Sequence, residues 1–193
     1  VTERTLPATT VPLPMFDLHS RLNDYASDEA TEQEARHRFL DLLAATDHCF
    51  WRDAYPAHFT ASAWLVSRDG RRALLMHHRK LDRWLQPGGH ADGNGDLPRV
   101  ALREAEEESG LHGLRVDDRL FDLDYHPIPA CGREPEHWHY DVRFVVQTTR
   151  SETFRANDES TAMRWVPVGE IVADSGIDAS IRRMAKRWLG STR

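Results

Sequence analysis

Two cysteines, Cys49 and Cys131, are all that the 193 residues contain. They are too few and too far apart for a disulfide framework or a thiolate zinc pattern, so they read as two unpaired thiols. No uninterrupted apolar stretch approaches the ~20 residues that cross a bilayer. Residues Val1 to Thr10 also lack the basic-then-apolar order of a secretory leader. The expected location is therefore the cytoplasm, with no membrane partner. Positive charge is in deficit: 25 Lys and Arg against 31 Asp and Glu leave a net charge of -6. That argues against binding duplex nucleic acid, which needs a positive surface to displace counterions. An anionic ligand would have to be recruited by metal ions and a few local bases. Internal repeats and low-complexity stretches are missing as well.

What is present is an ordinary globular composition, 40% apolar and 29% charged, with eleven histidines, several of them clustered. The length suits one cored domain with a modest extension. A helix is predicted from Ser27 to about His48: Ser27 and Asp28 offer caps, Glu29, Glu32 and Glu34 suit its positive end, and Phe39, Leu40, Leu42 and Leu43 form an apolar stripe. Thr60 to Ser67 and Ala73 to His78 read as strands joined at the Asp69-Gly70 turn. Leu97 to Ser109 reads as a helix opened by Asp96 and stopped by Gly110. Strands follow around Arg119 to Tyr125, from His137 to Gln147, and at Trp165, Val166 and Val168. A closing helix is expected from Asp178 to Trp188. Hairpins interspersed with helices imply an α/β fold with a mixed sheet.

The informative segment runs from Gly88 to Leu111. On a helix, Glu104, Glu107 and Glu108 share one face, while Leu102, Ala105 and Ser109 fall on another that can pack on the sheet. Like charges at this spacing repel, so the cluster favours cations. Hard carboxylate oxygens on one rigid face suit Mg²⁺ or Mn²⁺. An isolated Glu-rich run is more often only a solvated helix face, but here the surrounding order matters. Gly89 is followed after five residues by Gly95, then after seven by Arg103-Glu104-Ala105-Glu106-Glu107-Glu108-Ser109-Gly110-Leu111.

That register resembles the Nudix box, spanning Gly89 to Leu111, with one departure: the family's first glutamate falls on Gly95. The resemblance implies a Nudix-type α/β/α sandwich at residues 56–193, preceded by an N-terminal helical extension at residues 1–55 packed on it. It implies Mg²⁺ held by Glu104, Glu107 and Glu108, with Mn²⁺ as a substitute, and hydrolysis of a diphosphate linkage in a small nucleotide-like molecule. Arg103 would orient the carboxylates, and Glu108 or Glu159, from the late loop Asn157-Asp158-Glu159, would serve as general base. Gly89, His90, Arg79 and His139 are the candidate substrate contacts. His139 lies on a strand whose alternation sets His137, His139, Asp141 and Arg143 on one polar face, of the kind that borders solvent or a site.

Two other readings share the fold. A ligand-binding or regulatory Nudix-like domain without turnover is suggested by Gly95. An isopentenyl-diphosphate isomerase-like enzyme is suggested by His58 and His90, which resemble that branch's metal-binding histidines. The isomerase's essential cysteine, however, falls on Gly88. In the hydrolase reading His58, at a strand entry, is structural. The extension could act as a lid, a homodimer contact or simple packing.

Overall fold

The computed structural model describes residues 17–155, 157 and 160–191. Its centre is strand β1 (Ala57–Val66), nearly every residue of which is buried. A strand buried on both faces reads as a mainly apolar run, which Ala63 to Val66 displays, with small polar Thr60 and Ser62 in its first half. β1 runs parallel to β7 (His137–Thr148), in register from Ala57 against Trp138 to Val66 against Gln147. It is antiparallel to β2 (Arg72–His78) and to the three-residue β4 (Gly88–His90), where Thr60 faces His90 and Ser62 faces Gly88. The remaining strands are β3 (Arg83–Leu85) and β8 (Ser160–Pro167) on β2, and β5 (Leu114–Val116) and β6 (Asp122–Ile128) on β7. Among the described residues the sheet has eight strands and is mixed.

Helices cover both faces. On one face α2 (Ala30–Ala45) and α3 (Leu97–Ser109) pack through Phe39, Leu97, Val100 and Ala101 onto Phe59, Ala61, Leu123, Val142 and Phe144. On the other, α4 (Val168–Ala173) and α5 (Ala179–Ser191) pack through Ile171, Ile181, Met184 and Ala185 onto Trp64, Val66, Ala73 and Leu75. The α/β/α sandwich expected from the sequence is the architecture found. Among the described residues no helix is long and apolar enough to cross a membrane.

Several details differ from what the sequence predicts. A short helix α1 (Leu18–Asp24), the strands β3, β4 and β5, and α4 have no counterpart in the predicted elements; each is too short to show a hydrophobic period. Val168 opens α4 rather than continuing a strand, and β8 begins earlier, at Ser160. The residue at the N-cap of α2 is Glu29, without a side-chain cap bond; the Ser27 hydroxyl instead accepts from the Glu29 N–H at 3.1 Å and donates to Glu32. Glu32 does not decorate the helix start in water. It is fully buried and paired with Arg187 of α5.

The end of the N-terminal segment meets the glycine-rich loop directly. The Phe50 carbonyl accepts from the Gly93 N–H at 2.9 Å. Gly93 has φ +81°, and a Cβ there would run into the Trp51 indole, so both backbone conformation and space require glycine.

Candidate active site

Helix α3 is tightly bounded. The Asp96 carboxylate accepts from the Arg99 N–H at 3.4 Å and pairs with its guanidinium at 3.0 Å, Pro98 sits in the first turn, and Gly110 adopts the left-handed conformation at φ 63°. Asp96 therefore acts as the helix cap. Ala105 and Ser109 are buried and Leu102 is packed against the same cluster, so the face opposite the glutamates faces the sheet.

The glutamates meet β4. A Cβ on Gly89 would lie 2.7 Å from the Glu104 carboxylate carbon, so only glycine allows the strand to pass so close. The Gly88 N–H donates to Glu108 Oε2 at 3.0 Å. Arg103 donates to Glu104 Oε1 at 2.6 Å and to the His90 carbonyl at 3.0 Å, holding a carboxylate and β4 at once. Glu108 is buried and Glu107 exposed. Gly95 has open space: its nearest neighbour to an added Cβ is Phe50 Cζ at 3.9 Å.

The polar face of β7 is interior rather than solvated. Arg143, 2% exposed, donates to Asp141 at 2.8 Å and to Asp122 and Asp124 at 3.1 Å each. Asp141 also accepts from Thr60 at 3.1 Å and Ser62 at 2.8 Å. Arg183 of α5 donates to Asp122 at 2.8 Å and Asp124 at 3.1 Å, and lies 3.7 Å from Glu32. Burial pushes the Asp122 carboxyl up to about 6, against the pull of its two arginines. The net effect on Asp124 is the reverse: its carboxyl lies below the usual range, with the burial penalty outweighed by Arg143, His126 and Arg183. The strand face that the alternation assigns to solvent or a site is, over Asp141 and Arg143, a buried ion-pair network.

Toward the start of β1 the same face becomes histidine-rich. His58 stands opposite His139 in the parallel register, His139 opposite His126 in β6, and His90 is brought alongside by β4. Ring centroids are 5.2 Å apart for His58 and His90, 4.9 Å for His58 and His139, and 5.0 Å for His90 and His139. His137 lies 5.0 Å from His58. Side chains alternate along a strand, so with Gly89 turned to the glutamates, the His90 ring lies on the opposite side of β4. Its backbone belongs to the carboxylate site and its imidazole to the histidine cluster.

Of the residues singled out in the sequence, the structure gathers Arg103, Glu104, Glu108, Gly89 and the His90 backbone at one place, with Glu107 on the exposed edge of the same helix. His139 and the His90 ring meet at another. Arg79 is exposed in the β2–β3 turn and donates to the Ser160 carbonyl at 3.3 Å. Glu159 lies outside the described residues. The sequence sets only His90 beside His58, through the isomerase resemblance; His137 and His139 join them once the β1–β7 register is known. Neither thiol is paired: Cys131 is exposed, and Cys49 is buried, which pushes it up to about 11.

The NUDIX domain family model matches residues 56–188. An RNA pyrophosphohydrolase of Sphingopyxis alaskensis is 31% identical over 135 residues, covering 62% of this chain and 83% of that protein. A putative 8-oxo-dGTP diphosphatase 3 of Mycobacterium tuberculosis is 32% identical over 126 residues, 61% of this chain; the match spans 56% of that longer protein. In fold the chain is similar to a C. elegans Ap4A hydrolase solved as a binary complex, with a TM-score of 0.55 at 15% identity over 69% of this chain and 96% of that one. With a glycine strand laid against a carboxylate helix, an α/β/α sandwich around it, and a family match over most of its length, the chain belongs to the Nudix hydrolase family, enzymes that cut pyrophosphate bonds with the help of divalent cations.

Proposed function

We propose that the chain is a Mg²⁺-dependent pyrophosphohydrolase acting on a nucleoside diphosphate derivative, with residues 1–55 as an extension to the catalytic domain. The observation that carries this reading is the contact of Gly88 and Gly89 with Glu108 and Glu104, which ties the carboxylate helix to a strand able to approach a phosphate closely. The donor set fits a hard cation: Glu104, Glu107 and Glu108 offer only carboxylate oxygens from one helix. Bound there, the ion would offset phosphate charge and make a water more acidic. Arg103 holds the Glu104 carboxylate and the His90 carbonyl in fixed relation, a positioning role rather than a phosphate contact. Glu108, in a buried setting, and Glu159 are the proposed proton acceptors. The Gly89 backbone and Arg79 are proposed to meet the phosphates, and His90 and His139 the rest of the substrate. The names of the two sequence relatives support a nucleotide substrate.

The test is a screen of nucleoside diphosphate derivatives with Mg²⁺, products being separated by chromatography. Hydrolysis of at least one, abolished by excess EDTA, is expected; full activity in EDTA or no turnover of any would overturn the proposal.

The isomerase reading gains one observation, the meeting of His58 and His90. It loses more at Gly88, where a side chain would collide with Ser62, whose Cα would lie 2.9 Å from the added Cβ. A cysteine cannot occupy that position without moving β1, and the chain supplies no thiol there.

A further inference from the structure

We propose a second metal site, separate from the carboxylate helix, in which His58, His90 and His139 bind one borderline divalent transition metal of the Zn²⁺ class. Among the described residues these three are the group whose potential donor atoms come together, all within 4.8 Å of one another. The ligands arrive from three strands, β1, β4 and β7, at the point where β4 leaves its contact with the glutamates.

An independent observation points the same way. His58 is fully buried, and its Nε2 has no hydrogen-bond partner. Its Nδ1 lies 3.3 Å from the Ala54 carbonyl, which can only accept, so Nδ1 carries the proton and Nε2 presents a bare lone pair to the cluster. Leaving a buried polar atom unsatisfied is destabilising, a cost that a metal–nitrogen bond removes. His137 is held similarly, with Nδ1 2.8 Å from the Pro135 carbonyl and Nε2 3.2 Å from His139 Nε2. Carbonyl partners that fix the tautomer and aim the other nitrogen are the usual support of ligating imidazoles.

Nitrogen donors select Zn²⁺, Co²⁺ or Ni²⁺ over Mg²⁺. Three imidazoles around tetrahedral Zn²⁺ at ~2.0–2.1 Å require nitrogens roughly 3.3 Å apart, which asks for modest ring movements from the present spacing. Three protein ligands leave a fourth position for water. The site stands independently of the proposed hydrolysis, because β4 places its rings on the side away from the carboxylates.

The test uses the full chain stripped of metal and titrated with Co²⁺ in the presence of excess Mg²⁺, with visible ligand-field bands as readout. Saturation of intense tetrahedral-type bands at one Co²⁺ per chain is expected, displaced by Zn²⁺. His58→Ala, His90→Ala and His139→Ala should each weaken Co²⁺ binding at least about tenfold, while Glu107→Gln leaves the spectrum and affinity unchanged. Should the fully buried His58 variant fail to fold, the His90 variant, whose ring is only half-buried, decides. No visible bands in the natural protein, equal binding in the histidine variants, or loss of the bands on Glu107→Gln would overturn the site. The Co²⁺ spectrum reads the site directly, whether or not any substrate turns over in the Mg²⁺ screen.

Discussion

Two regions of this molecule concentrate carboxylates, and they treat them differently. Behind β7, Glu32, Asp122, Asp124 and Asp141 surround Arg143, Arg183 and Arg187, so nearly every negative charge has a guanidinium within bonding distance and little water reaches the network. On α3, Glu104 has Arg103 and Glu108 has a backbone N–H, while Glu107 points into solvent. The first arrangement is balanced within the protein and joins α2, β6, β7 and α5. The second carries excess negative charge at an accessible surface, which is what a cation-dependent site requires. Composition alone does not separate them; the location of the compensating arginines does.

The largest effect is expected where balance is broken inside. Arg143→Leu removes the partner shared by the buried Asp122 and Asp141 and the half-buried Asp124, leaving Asp141 without a guanidinium and the other two with Arg183 alone, and should cost about 3–5 kcal/mol of stability, read from urea denaturation. A loss below about 1 kcal/mol would show that the network is far better hydrated than its burial implies. On α3 the same kind of change should spare the fold. Glu107→Gln or Glu108→Gln should lower kcat at least about 100-fold, ~2.7 kcal/mol in barrier, with thermal stability in EDTA equal to or slightly above that of the unaltered protein. Destabilisation comparable to Arg143→Leu would erase the contrast between the regions.

A sharper probe adds charge to the unbalanced side. Gly95 has open space, so Gly95→Glu should fit and restore the carboxylate that the family pattern places there. If its absence limits the chemical step, kcat should rise by up to about tenfold with little change in KM. An unchanged or reduced kcat would mean that another group already fills the role.

The smallest effect concerns the proton on Asp122. Its folded value, about 6, lies above the unfolded 3.8, so the folded state binds the proton more tightly. This group therefore adds stability as pH falls through 6, an increment complete near 3.8 and absent above about 7. Between pH 7 and 5 the natural protein should gain about 1 kcal/mol relative to Asp122→Asn, measured by denaturation at the two pH values. A constant difference would place the titrating proton elsewhere in the network.

Residue order alone was enough for the carboxylate helix, because a three-and-four residue spacing needs only helical geometry to place Glu104, Glu107 and Glu108 together. The caps at Asp96 and Gly110, the buried central strand and the closing helix were legible for the same reason: they follow from local chemistry and period. So was the sharing of one strand face by His137, His139, Asp141 and Arg143. What that face meets depended on the packing of distant segments. The parallel pairing of β1 with β7, across some eighty residues of chain, set His58 beside His139 and Thr60 and Ser62 beside Asp141. The packing of α2 and α5 brought Glu32 to Arg187, and the three-residue β4 turned the His90 ring to the far side from the glutamates. None of these follows from local spacing, since strand order and register depend on how distant segments bury one another.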